Sequence, residues 1–313
     1  MKGYVVRRIL LLVPTLVGMS ILTFGVSNLT PGDPAFTFAS RLASRPATPD
    51  EVAQARKDLG LEGGIVTRYV RWAGHAARGD LGISFSTRLP VREELVQSAR
   101  YTLQLALPAA LLALLLAVPA GVVSAVRRNR PSDQVLRVLS LAGASMPSFW
   151  LALLLVVLLA VKFSLLPAAG RSGTGSYILP VVTLALAPAA VLARFTRSAV
   201  LETLTSEYVV AARAKGARET VIVVRHALRN ALVPLVTAVG NSFGHLVGGA
   251  AVVETVFVWP GVGRLLVEAI LQRDYPVIAG IVLYAGAVFA VISLVVDLLY
   301  AVIDPRIRVG AGG

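Results

Sequence analysis

YTLQLALPAALLALLLAVPAGVVSAV, residues Tyr101–Val126, runs for 26 residues without one charged side chain. A hydrocarbon core about 30 Å thick needs roughly 20 apolar residues in a helix that rises 1.5 Å per residue, so this run has the length of a membrane span. Five further runs read the same way, near Ile9–Val26, Val138–Val161, Tyr177–Ala193, Ala231–Val253 and Val277–Ile303. Composition agrees: 56% of residues are hydrophobic and 15% charged, against roughly 45–50% and about 25% in soluble domains. Lipid obliges each span to satisfy its own backbone hydrogen bonds, and none of the runs alternates polar with apolar residues as a barrel strand does. The expected fold class is an all-α integral membrane protein with six transmembrane helices.

Six spans place both termini on one side. Lys2, Arg7 and Arg8 precede the first run, Arg127, Arg128, Arg130 and Arg137 lie between the second and third, and seven basic residues occupy 194–229. Short loops rich in Lys and Arg stay in the cytoplasm, so N and C termini are expected there. The first run is longer than the apolar core of a secretory leader and has no A-x-A-like cleavage site after it, so it is expected to remain as a span.

The net charge of +13 raises nucleic acid as a partner. The arginines, however, sit beside apolar runs, where anionic lipid headgroups account for them. Membrane lipids are therefore expected partners and nucleic acid is not. With no cysteine, disulfides, thiolate metal sites and thiol catalysis are excluded, and no metal site is expected. There is no G-x-x-x-x-G-K-[ST] run and not even a Gly-Lys pair, so the chain lacks a phosphate-cradling loop of its own. H-E-x-x-H and G-x-S-x-G are missing too, so no catalytic residue is assigned.

Residues 30–100 form a long polar segment outside the cytoplasm, large enough for a helical insertion but not for an independent core. Thr48-Pro49-Asp50-Glu51 reads as a helix start with a capping box, and Gly60 as its end. Ile65, Tyr69, Trp72 and Ala76 recur at helical spacing. His75 reads as a solvated surface residue, and Thr30-Pro31-Gly32-Asp33-Pro34 as a turn cluster. Farther on, Trp259–Pro276 combines turn residues with an apolar pattern that predicts a short helix beside the pore.

EYVVAARAKGARETVIVVRHALRNALVP, Glu207–Pro234, is too polar to span and too long for a tight turn. It predicts two short helices meeting at Gly216, with Ala211 and Ala212 small enough to admit a partner closely. Two readings stand level: a corner seated in a groove of another protein, or an amphipathic helix with Arg213, Lys215 and Arg218 on lipid phosphates. Among intramembrane polar groups, which are functional suspects by default, His245 reads either as a pathway residue or as an interhelical hydrogen-bonding group. Gly248 and Gly249 beside it allow close approach. Glu254 is expected to reach water at a span end, and Asp297 to pair with Arg194 or Arg197. Pro108, Pro119, Pro147, Pro180, Pro188 and Pro234 fall in or near spans, where each can kink its helix.

Ala211-Ala212, three residues, then Gly216 resembles the core of the "EAA" loop of type-1 ABC importer permeases, with Val210 at the usual glutamate position and Pro234 farther along than usual. The strings ARAKG and RHALRNALVP resemble the dipeptide, oligopeptide and nickel branch. Leu29–Pro34, Arg78–Gly82, Met146–Trp150, Trp259–Arg264, Arg273–Pro276 and Asp304–Arg308 extend the resemblance, in order, along nearly the whole chain. It implies the type-1 permease fold, organised as a first transmembrane helix (1–29), an extracytoplasmic loop (30–98), a transmembrane domain (99–303) with a coupling loop at 206–229, and a cytoplasmic tail (304–313). It implies a non-catalytic subunit in a bacterial or archaeal cell inner membrane, forming half of a pathway for di- and oligopeptides, with nickel or a metal chelate as the alternative cargo. A stand-alone secondary carrier is a distant alternative, set back by the scarcity of intramembrane carboxylates. Implied partners are a second homologous permease, two ATPase subunits or domains that bind ATP and Mg, and an extracytoplasmic substrate-binding protein; no cofactor is implied on this chain. Glu207, Ala211, Ala212, Arg213, Gly216 and Arg225 are the implied ATPase-coupling residues. Met146, Phe149, His245, Gly248 and Gly249 are candidates for the pathway, and Asp80, Arg264, Arg273 and Asp274 for docking the binding protein.

Overall fold

The protein, seen in a computed structural model, is described over residues 2–29, 33–171 and 173–303. Within these, the side chains of residues 2–9, 11, 12, 26–29, 226, 230, 232–234, 237, 245, 247–249 and 300–303 lie outside the description. So do Thr30, Pro31, Gly32 and the whole Asp304–Arg308 string. Helices account for nearly all the regular structure, and among the described residues the single β contact is an isolated bridge between Ile83 and Pro90.

The chain opens with α1 (Lys2–Leu29), followed by three short helices: α2 (Pro34–Ala43), α3 (Pro49–Asp58) and α4 (Ile65–Ala77). The expected capping box starts α3: Thr48 Oγ1 accepts from Glu51 N–H, while the Glu51 carboxylate accepts from Thr48 N–H at 2.8 Å. Gly60, at φ +61°, turns the chain away just beyond the helix end. The segment leans on α1, since Phe24 lies 5.5 Å from the Tyr69 ring and 5.7 Å from the Trp72 ring, and Ser20 hydrogen-bonds the Tyr69 hydroxyl.

The long helix α5 (Val91–Val126) passes through Pro108 and Pro119 without ending. After it come α6 (Pro131–Ser145) and α7 (Ser148–Leu155), which continues as a π-helical stretch, Val156–Lys162. The third apolar run is therefore not one straight span. Its halves meet at 103° around Met146-Pro147. Proline disfavours helical backbone in the residue before it, and Met146 is extended, at φ −80° and ψ 122°. Next is α8 (Ile178–Leu204), longer than its apolar run predicts because it carries Arg194 and Arg197 inside the helix. Then follow α9 (Glu207–Ala214), α10 (Glu219–Val221), a second π-helical stretch Ile222–Leu228, α11 (Arg229–Val256), α12 (Val262–Leu271) and α13 (Tyr275–Ile303). Three described stretches are long and apolar enough to cross a membrane, Val91–Val126, Thr174–Leu204 and Tyr275–Leu299, and the bent α6–α7 pair adds a fourth if taken as one.

The centre of the bundle is a seam between α5 and α8. Leu105, Ala109, Ala113, Ala117, Gly121 and Ala125 recur every fourth residue on α5, and all are buried. That spacing lines up one helix face, and residues this small let two backbones approach closely, which is how helices associate where lipid removes the hydrophobic drive. At Gly121 the approach is closest: a Cβ there would lie 2.5 Å from Thr196 Cβ and 2.7 Å from the Ala193 carbonyl oxygen.

Candidate functional site

Two clusters of chemistry-bearing residues sit at opposite ends of α5, near its last and first turns. The first begins where α8 ends. Ser206 precedes α9, and Val209, fully buried, anchors that short helix inward. Lys215 caps it, Gly216 N–H donates to Arg213 O at 2.9 Å, and Ala217 N–H donates to Ala212 O at 3.1 Å. This pair of reversed bonds with a left-handed residue between them is a Schellman motif, and glycine meets its demand, here φ +79°, with no Cβ penalty. Nothing lies within 4 Å of where a Cβ on Gly216 would be. The corner therefore points into open space. Arg213 fastens it from behind: Nη2 and Nε reach the two oxygens of Glu219 at 2.6 and 3.1 Å, and Nη1 reaches Leu204 O at 3.3 Å. The guanidinium holds the Glu219 carboxyl below the usual carboxylate range. Glu207, Ala211 and Arg225 are exposed and Ala212 half-buried, beside outward-facing Tyr208, Val210, Val221 and Val224. Among the predicted coupling residues, Arg213 has partners within the chain. It works inside the chain, bracing α8, α9 and α10 together.

Just behind this corner lies a buried ion pair. Asp133, in the first turn of α6, is fully buried and accepts from Arg197 Nε and Nη2 at 2.9 and 3.0 Å, Ser124 Oγ at 2.5 Å and Asn129 N–H at 2.9 Å. Charged groups are kept inside a protein when paired and hydrogen-bonded in this way. Of the two arginines expected as partners of Asp297, Arg194 and Arg197, the second is held by Asp133, the carboxylate that the α5–α6 turn brings to it.

At the other end, Glu254 overturns the expectation that it reaches water. It is fully buried near the end of α11. Its carboxylate accepts from Thr102 Oγ1 at 2.6 Å, Gly263 N–H at 2.8 Å and Arg264 N–H at 3.1 Å, while Val262 N–H donates to Thr102 Oγ1 at 2.9 Å. These are the free N–H groups of the first turn of α12, whose dipole also favours an anion. The Trp259–Arg264 string acquires a physical meaning here. Trp259 is buried and donates from Nε1 to Tyr101 O at 3.0 Å. A Cβ at Gly261 would overlap the Glu254 carboxylate, and one at Gly263 would overlap the Ala251 backbone. The predicted short helix is α12, packed against α11, α13 and α5.

Two other strings meet across the chain. Asp274 Oδ2 accepts from Ser84 Oγ at 2.6 Å and Ser86 N–H at 2.9 Å, tying the loop before α5 to the start of α13. Asp274 is buried, which removes it from the docking candidates: its carboxylate is consumed inside the chain. Asp80, 60% exposed, binds His75 Nδ1 at 2.8 Å and so gives that histidine a partner. The hydrogen bond from His75 holds the Asp80 carboxyl below its usual range. Arg264 pairs with Glu268 at 2.7 Å, and Arg273 is exposed at φ +51°, in the left-handed place that ends α12. Met146 and Phe149 flank the α6–α7 break, Phe149 half exposed. His245, Gly248 and Gly249 fall on α11, and their side chains are among those outside the described residues. Among the described residues no group of three or more His, Asp or Glu side chains could hold a metal ion.

The sequence matches the family model described as "Binding-protein-dependent transport system inner membrane component" over residues 117–309, and the model of the N-terminal part of such components over residues 1–106. It is 42% identical over 309 residues to the glutathione transport system permease protein GsiC of Escherichia coli K12, covering 98% of this chain and 99% of that one. GsiC of Salmonella paratyphi A is 43% identical over the same length. Among solved structures, an inward-facing conformation of the MetNI methionine ABC transporter has a chain that superposes with a TM-score of 0.59, at 21% identity over 67% of this chain and 96% of that chain. A chain of an amino acid ABC transporter superposes at 0.51, with 18% identity over 68% of this chain. Identities this low speak to the fold alone.

Proposed function

We propose, from the fact that this chain belongs to the family of binding-protein-dependent transport system inner membrane components, that it forms half of a translocation pathway for short peptides. The chain is a multi-pass inner-membrane permease subunit of an ABC importer, and it is non-catalytic. The peptide cargo is our own reading: relatives at 42% identity over nearly their full length carry glutathione in their names, and glutathione is a tripeptide with two carboxylates. Six spans with cytoplasmic termini, a second permease, two ATPase subunits holding ATP and Mg, and a separate binding protein complete the proposal.

The observation that carries the coupling part is the open corner at Gly216. Exposed small residues on a short, braced helix, with empty space before the glycine, suit insertion into a cleft of a partner. On this reading, closure of the ATPases pushes α9, and the push passes through the Arg213 brace into α8 and the α5–α8 seam, a rigid-body shift of packed helices. The test is to purify the chain with the products of its neighbouring genes, reconstitute the complex in vesicles, and supply the loaded binding protein. ATP-dependent accumulation of labelled glutathione or a dipeptide is the expected result. Copurification without an ATPase would overturn the coupling assignment, and ATP turnover without peptide uptake would overturn the cargo.

A further inference from the structure

Beside the Glu254 cage, the first four turns of α5 and the loop ahead of α8 enclose an open cavity of about 770 Å³. Three arginines line it, Arg92, Arg100 and Arg171, against one carboxylate, Glu93; Gln97, Tyr101 and Gln104 supply further hydrogen-bonding groups. The Arg171 guanidinium is stacked 4.2 Å from the centroid of the Tyr101 ring and 5.6 Å from that of Trp259. The Trp259 ring is itself fixed: it donates to the Tyr101 backbone carbonyl, and Tyr177 packs edge-on to it at 4.7 Å. The guanidinium also meets the Tyr101 and Tyr177 hydroxyls, and its planar fork is the geometry that matches a carboxylate with two parallel hydrogen bonds.

Depth separates this cluster from ordinary surface arginines. Gln97, Arg100 and Gln104 follow one another at spacings of three and four along one exposed face of α5, and Gln104 already lies within the apolar run that starts at Tyr101. Polar side chains set into a spanning helix are costly against lipid and are kept where they face a water-filled space. We infer that this cavity is a carboxylate-binding site of the import pathway, in which Arg100 and Arg171 receive the free carboxylate of a peptide at the end of the bundle opposite the Gly216 corner. The inference rests on the peptide reading above and adds to it the chemical group recognised and the residues that recognise it.

The chain contains no cysteine, so one thiol can be placed without background. In the assembled complex, Gln104→Cys is expected to react with water-soluble methanethiosulfonates, and faster with the anionic ethylsulfonate than with the cationic trimethylammonium reagent. That preference is expected to fall at least about tenfold when Arg100→Gln and Arg171→Gln are added, the scale on which a charged cleft concentrates counter-ions. Millimolar free-acid tripeptide should slow the labelling, and the same peptide with its carboxylates amidated should not. No labelling from water, no preference for the anionic reagent, or equal protection by the amidated peptide would each overturn the site; protection by vesicles of anionic lipid instead would assign the arginines to headgroups and overturn it too. A complex that shows all the expected labelling but imports no peptide would leave the site standing and remove the importer reading.

Discussion

Gly216 and Gly261 both sit where two helices meet, and their surroundings are opposite. Around Gly216 no atom comes within 4 Å of the place a methyl group would take, whereas at Gly261 that methyl would overlap the Glu254 carboxylate. The first glycine answers a backbone demand, φ +79°, and leaves room for something outside the chain. The second is extended, at φ −89°, and is needed only because a buried carboxylate occupies its side-chain space. One corner leaves its side-chain space open and the other fills it with the chain's own glutamate. Substitutions at the two ends should therefore fail in different ways.

The largest loss is expected from Glu254→Ala. It leaves Thr102 Oγ1 and two N–H groups of α12 without their acceptor, and each buried donor left unsatisfied costs about 1–3 kcal/mol. The purified complex should melt many degrees lower or fail to assemble; a melting temperature equal to wild type would break the comparison from the inside. Gly261→Ala comes next, at about 1–3 kcal/mol for overpacking, and its melting curve should shift the same way. At the other corner, Gly216→Ala should cost only about 1 kcal/mol of backbone strain, so that the complex still assembles. Stimulated ATP turnover in the Gly216→Trp complex should nevertheless fall by at least about tenfold, a loss worth roughly 1.4 kcal/mol or more. Turnover at the wild-type rate would mean that nothing docks there.

The smallest effect belongs to the brace. Arg213 and Glu219 are 41% and 53% exposed, so their ion pair is worth at most about 1 kcal/mol and weakens with salt. Its pH dependence has a definite sign. Arg213 lowers the Glu219 pKa in the folded corner, so the contribution is fully present above the ordinary glutamate value near about 4.3 and fades as pH falls through the lower folded value. The protection factors of the α9 amides, intrinsic exchange rate over observed rate at each pH, should fall in acid and stay flat from there up to neutrality; a fall on going from mildly acidic to neutral pH would contradict the assignment.

Much of the architecture was legible because it depends on local physics. The long uncharged runs announced α5, α8 and α13, Thr48 with Glu51 announced the start of α3, and the Gly216 corner appeared between its two short helices. What stayed hidden depends on who meets whom. Proline marks Pro108, Pro119 and Pro147 alike, yet α5 runs through the first two while the chain turns by 103° at the third, where Met146 is extended. Glu254 looked like a span-end residue because nothing adjacent reveals that the chain folds back to offer it the N–H groups of residues 263 and 264. Arg197 found Asp133 for the same reason, and Arg171 became part of a site only through the rings of Tyr101 and Trp259.

The brace at Arg213 and the seam at Gly121 together make α8 a lever. Twenty-seven residues at 1.5 Å each give a rod about 40 Å long. It is gripped most tightly at Thr196, eight residues from the corner at Leu204 and eighteen from its other end at Ile178. Any tilt about that fulcrum moves the Ile178 end about twice as far as the Leu204 end, by the ratio of the two arms along a straight helix. Small strokes at the corner thus become long ones beside the cavity that holds Arg171.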